Sequence, residues 1–133
     1  MNISIDHIAI WTMDLEKAKD FYVKYFDMEC GEKYHNPAKQ FTSYFLQFRN
    51  SPVKIELMHR PDIAEHMGKK GITNGLTHFA ISVGSKEFVD SFTEKLRADK
   101  VIIQSEPRTT GDGYYESVIL DPEGNLVEIT AIG

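Results

Sequence analysis

"IDHIAIW", residues 5–11, sets one histidine inside an otherwise apolar run, and "LTHFAIS", residues 76–82, does so again. Both stretches are rich in β-branched and aromatic residues and read as strands. A lone histidine in such a strand is ordinarily a hydrogen-bonded core residue, since buried polar groups find partners. Two at matching places, 71 residues apart, call for another reason. That reason is an internal repeat.

After the first strand, "TMDLEKAKDFYVKYFD" carries Leu15, Ala18, Phe21, Tyr22, Tyr25 and Phe26 at helical spacing, with Thr12 or Asp14 as N-cap. Three strands are expected next, over 29–34, 42–49 and 53–58, with "RNSP" as the turn between the last two. The second half repeats the order. "SKEFVDSFTEKLRAD" is a helix capped by Ser85, with Phe88, Val89, Phe92 and Leu96 on one face. Strands follow over 101–105, 114–120 and 125–130, and "DPEG" turns into the last. Each half therefore reads β-α-β-β-β, and a linker with a short helix over 61–67 joins them.

Strand alternation puts His7 on one face with Ile5, Ala9 and Trp11, and turns Ile8 and Ile10 toward the helix. His78 shares a face with Ala80 and Ser82. The last strand of each half carries a glutamate among apolar residues, Glu56 in "VKIELM" and Glu128 in "NLVEIT". Glutamate is seldom buried without a partner. Either one alone fits the wet face of an edge strand equally well. Two histidines and two glutamates at equivalent places of a repeat can instead converge on one divalent ion, whose charge offsets the carboxylates' desolvation.

Bulk composition narrows the classes. At 133 residues the chain fits one domain with a real core, and 41% hydrophobic with 26% charged residues is globular. A formal charge of −5 argues against nucleic-acid or acidic-membrane partners. The Lys69-Lys70 run reads as a solvated loop. No apolar run is long enough to span a bilayer, and "MNISIDHIAIW" lacks the marks of a secretory signal. Cys30 stands alone, which excludes an intrachain disulfide and suits a reducing cytoplasm. No motif around it makes it a catalytic thiol.

The phrases "DHIAIWTMDLEKAKDFY", "THFAISV" and "ILDPEGNLVEI" together resemble the vicinal-oxygen-chelate superfamily, which includes glyoxalase I. The resemblance covers essentially the whole chain. It implies an α+β fold of two tandem βαβββ modules forming a curved, cup-like mixed sheet with helices outside. Module one would span about 1–60, the linker about 61–75 and module two about 76–133. It also implies His7, Glu56, His78 and Glu128 as ligands of one divalent ion. Zinc or nickel comes first, and cobalt, manganese or iron also suits such nitrogen and oxygen donors.

The activity implied is that of a glyoxalase I-type lyase or isomerase. It would rearrange a hemithioacetal or other α-hydroxycarbonyl compound through a metal-stabilised enediolate. Glu128 would move the proton, with Glu56 as its counterpart. Other members offer alternatives: fosfomycin-resistance thiol transferases, methylmalonyl-CoA epimerase, ring-cleaving dioxygenases and metal-free bleomycin-binding proteins. Relatives imply a homodimer and a small-molecule substrate, with or without a low-molecular-weight thiol.

The residues that serve glutathione in bacterial glyoxalase I are replaced here by Trp11 and Arg60, which puts glutathione in doubt. "PRTTGDGYYES", residues 107–117, reads as a polar rim with a hairpin turn at Gly111 and Gly113. Trp11, Arg60, Arg108, Tyr114 and Tyr115 are the candidate substrate contacts. His35, His59 and His66 read as ordinary surface histidines.

Overall fold

The computed structural model describes residues 1–132, and the chain divides into two compact units, one over Met1–Glu65 and one beginning at His66. In the first unit, β1 (His7–Trp11) leads to α1 (Leu15–Phe26). Strands β2 (Glu29–Cys30), β3 (Tyr34–Asn36), β4 (Phe41–Gln47) and β5 (Lys54–His59) follow. The sheet order is β1-β5-β4-β2, with β3 also on β4; β1 runs parallel to β5 and the other pairs are antiparallel. In the second unit, β6 (His78–Ser82), α2 (Lys86–Ala98), β7 (Ile103–Thr109), β8 (Tyr114–Leu120) and β9 (Leu126–Ile132) form a sheet in the order β6-β9-β8-β7. Again the first and last strands are parallel. The α+β class and the repeated strand-helix-strands order are as the sequence predicts.

Each helix begins at a side-chain cap. Asp14 accepts from the Lys17 amide at 3.1 Å, and Ser85 from the Phe88 amide at 3.1 Å. Thr12, the other cap candidate, is buried instead, and its hydroxyl donates to the Met58 carbonyl at 2.9 Å. Helix α1 buries Leu15, Ala18, Phe21 and Tyr22, and α2 buries Val89, Phe92, Thr93 and Leu96. The sheet residues opposite them, Ile55 and Leu57 in β5 and Val127 and Ile129 in β9, are core. Thr93 and Ser117 share a buried hydrogen bond of 2.8 Å, so α2 meets its sheet with polar groups satisfied. Phe88, read as core, is 50% exposed, one step off the buried stripe.

Four local expectations are corrected. The single strand over 29–34 is two short ones, with a register step against β4 between Cys30↔Leu46 and Tyr34↔Ser43. No helix forms over 61–67, which holds a turn and irregular backbone; so short a segment cannot repay helix nucleation. Strand β7 runs on to Thr109, through Pro107. The proline is tolerated because β7 is an edge strand, and the register shifts around it. Lys70 is not simply solvated: its ammonium donates to the Glu123 carbonyl at 3.0 Å and the Asn125 side chain at 3.1 Å, holding the segment before β6 against the 121–125 turn. That turn is tied by Asp121, whose carboxylate accepts from the Glu123 and Asn125 amides, both at 2.9 Å. Gly124 sits at φ 81, where a side chain would be strained. Among the described residues no helix is long and apolar enough to cross a membrane.

Candidate metal and substrate site

The two modules build the same small device. In each, the first and last strands are parallel neighbours, and the glutamate stands in register with the alanine two residues beyond the histidine. Ala9 pairs with Glu56, and Ala80 with Glu128. Side chains at i and i+2 share a strand face, so histidine and glutamate lie side by side away from the helix. His7 Nε2 is 3.5 Å from a Glu56 carboxylate oxygen, and His78 Nε2 is 2.9 Å from one of Glu128.

A second feature in module one went unread in the sequence. Asp6 accepts a hydrogen bond of 2.8 Å from His7 Nδ1. A carboxylate only accepts, so Nδ1 carries a proton and Nε2 is the ring nitrogen turned toward Glu56. The aromatic edge of Phe45 packs on the His7 ring at 5.3 Å, fixing its plane. Asp6 directly precedes His7, and that adjacency was the available signal.

The donor set fits a divalent cation. Glu56 and Glu128 side chains are only 15% and 18% exposed, and the ion-pair partner of each is an imidazole rather than Lys or Arg. A divalent cation would offset the desolvation of these two acids. Each module offers two donors. Among the described residues no three His, Cys, Asp or Glu side chains are grouped to hold an ion.

Module two adds a concavity of about 590 Å³ beside its pair, lined by His78, Ser82, Arg108, Tyr114, Glu116, Glu128 and Thr130 among others. Glu116 was not foreseen, although alternation places it on the Tyr114 face and register sets it beside Thr130. Its effect is chemical. Burial first, then the hydrogen bond and negative charge of Glu116, with Asp112 adding, push the Glu128 carboxyl up to about 7, against a smaller opposing pull from Arg108. Such a carboxyl can both take and give a proton at neutral pH.

The remaining candidates separate. Arg108 and Tyr114 line the concavity. Tyr115 points the other way: its hydroxyl donates to Asp90 of α2 at 2.6 Å, and Lys86 lies 5.5 Å over its ring. The alternation that puts Tyr114 at the concavity removes Tyr115 from it. Arg60 is engaged by its neighbour Asp62, at 2.9 and 2.7 Å. Trp11 stays on the His7 face, 44% exposed, edge-on to Phe41 at 6.1 Å. His59 is half-buried and donates to the Thr12 carbonyl at 2.8 Å, and His66 bonds Thr73 at 3.0 Å; these two hold backbone and loop. His35 sits in β3, paired with Thr42. Desolvation raises the Cys30 thiol, which makes it a poor nucleophile.

Two modules of strand, helix and returning strands, each with an imidazole–carboxylate pair on its parallel first and last strands, define a class, and comparison agrees with it. The sequence profile of the Glyoxalase/Bleomycin resistance protein/Dioxygenase superfamily matches residues 4–129, and the chain belongs to that superfamily. Among curated proteins it is 30% identical over 132 residues to the mitochondrial methylmalonyl-CoA epimerase of Bos taurus, covering 94% of this chain and 72% of the relative. The trypanothione-dependent glyoxalase I of Leishmania major superposes with a TM-score of 0.75 at 22% identity, over 96% of this chain and 86% of that one. A glyoxalase/bleomycin resistance/dioxygenase domain from Frankia sp. reaches 0.83 at 14% identity, over 100% of both chains. At these identities the structural likenesses establish the fold.

Proposed function

We propose that this protein is a divalent-metal-dependent enzyme that moves a proton on a carbon next to a carbonyl, a glyoxalase-type lyase or isomerase acting on a hemithioacetal or related α-hydroxycarbonyl compound. The observation that carries the reading is the duplicated imidazole–carboxylate pair, at 3.5 and 2.9 Å, on equivalent parallel strands. His7, Glu56, His78 and Glu128 would hold the ion, zinc or nickel first, with module one over about 1–60 and module two over about 76–133. When bound, the ion supplies Lewis acidity toward a carbonyl or hydroxyl oxygen.

The chain's own groups supply the rest. Asp6 orients His7 through Nδ1. Glu128, whose carboxyl burial and Glu116 raise to about 7 in the metal-free chain, takes the proton from carbon and returns it, with Glu56 as the matching carboxylate. Arg108 and Tyr114 face the substrate in the concavity. A homodimer with the ligand pairs shared or kept within one chain, a cytoplasmic setting and a low-molecular-weight thiol co-substrate complete the reading.

A second reading has its own support. The 30% identity with methylmalonyl-CoA epimerase over 94% of the chain favours proton removal and return at the same carbon of an acyl thioester. Both readings share the carboxylate and the carbon acid. The test is a panel with and without added zinc or nickel: methylglyoxal with several thiols, and methylmalonyl-CoA in deuterated water. Metal-dependent turnover of the first supports the lyase, and deuterium uptake at C2 of the second supports the epimerase. No metal dependence in either would refute both.

A further inference from the structure

Among the described residues, Thr130 Oγ1 is the one buried side-chain polar atom without a hydrogen-bond partner. The residue is only 7% exposed, yet it lines the module-two concavity. An orphaned hydroxyl at such burial needs an explanation. Arg108 is exposed along the same concavity and open to a ligand. Arg49, Arg60 and Arg97 each hold a carboxylate in an ion pair, whereas the Arg108 guanidinium forms neither ion pair nor hydrogen bond among the described residues. Its charge nonetheless reaches Glu128 and Asp112.

Register places these two on one line. Ser82 pairs with Thr130, Thr130 with Glu116, and Glu116 with Arg108, so the four form a row across β6, β9, β8 and β7. The row lies one pleat from Ala80, Glu128 and Val118. Thr130 and Arg108 are two strand spacings apart, roughly 10 Å between backbones, a gap that the arginine stem partly closes. Glu116 forms no ion pair with the guanidinium, and its carboxyl lies close enough to Glu128 to raise that group. The concavity thus offers a guanidinium fork suited to a planar acceptor, and a Thr130 hydroxyl that lacks an oxygen to bond.

We infer that the module-two concavity binds a short organic acid, its carboxylate on Arg108 and an oxygen on the neighbouring carbon bonded to Thr130, with that carbon beside the His78–Glu128 pair. This rests on the proton-transfer reading and narrows its substrate to 2-hydroxy acids, whose C2 carries the proton to be moved, with 2-oxo acids binding as unreactive analogues. The concavity also carries Asp112 and Glu116, so a cation at the histidine–glutamate set strengthens binding of an anion there.

The test is calorimetric titration of the full chain, with and without added zinc, using lactate, pyruvate and the uncharged lactamide. Lactate or pyruvate is expected to bind in the millimolar range or tighter, and lactamide roughly tenfold more weakly. Arg108→Gln should weaken lactate binding about tenfold or more, and Thr130→Val about threefold or more. Zinc content should be unchanged in both. Thr130→Val conserves shape and should melt at or above the parent temperature, separating lost contact from lost fold. Equal binding of lactate and lactamide, no binding in either form, or an unaffected Arg108→Gln protein would overturn the inference. Deuterium exchange at C2 of lactate reports on the reaction separately. Arg108-dependent binding without exchange keeps the acid site and removes the proton transfer, while exchange in other substrates without lactate binding does the reverse.

Discussion

Replacing Glu128 by glutamine should change how the metal-free protein's stability depends on pH. In the folded chain the Glu128 carboxyl is raised from 4.5 to about 7, chiefly by burial and by Glu116. The folded state thus holds this proton more tightly than the unfolded chain. Below about pH 4.5 both states carry it and its contribution is fully present. Between about 4.5 and 7 the unfolded chain releases it first, and stability falls as pH rises. Above about 7 the loss is complete. A shift of this size corresponds to about 3 kcal/mol, and sharing of charge with Glu116 brings the expected effect to about 2 kcal/mol. Urea unfolding of the metal-free protein and of Glu128→Gln at pH 4.5, 6 and 8 measures it. The variant should gain on the parent by about 2 kcal/mol across that range. Adding zinc should restore the parent at pH 8, since the ion binds the ionised carboxylate. Parallel curves for the two proteins would refute the account of a desolvated, carboxylate-crowded Glu128.

Other outcomes follow from single contacts. Asp6→Asn should lower zinc affinity by about 10- to 100-fold in a chelator competition while the far-ultraviolet spectrum stays unchanged, because the lost contact only orients His7. Ile129→Ala removes a fully buried side chain beneath Glu128 and should cost about 2–5 kcal/mol in denaturant unfolding. Tyr115→Phe should leave kcat/KM unchanged on whichever substrate is turned over, since its hydroxyl serves Asp90 on the helix side.

Much of this architecture was legible because period-2 and period-3.6 patterns were written twice with the same marks. Ile55, Leu57, Val127 and Ile129 announced the helix-facing side of their strands, and Glu56 and Glu128 stood out as acids between them. Asp14 and Ser85 announced the helix starts. What escaped depended on partners distant in sequence. The strand read over 101–105 stops short of Pro107, and the edge position of β7 explains how it runs on through the proline. The segment 61–67 has helix-forming residues, but apart from half-buried Ile63 its side chains are exposed. Glu116 and Thr130 gain their meaning from strand register, which fixes them beside one another and near Glu128. Tyr114 and Tyr115 look alike in the chain, and the pleat sends them to opposite sides.

Metal content bears most directly on the proposed four-donor centre. Purified protein dialysed against zinc should retain one ion per set of His7, Glu56, His78 and Glu128. Both His7→Ala and His78→Ala should lose it while remaining folded. Retention of zinc by both variants, or no zinc bound by the parent, would contradict a shared cation held by the paired modules.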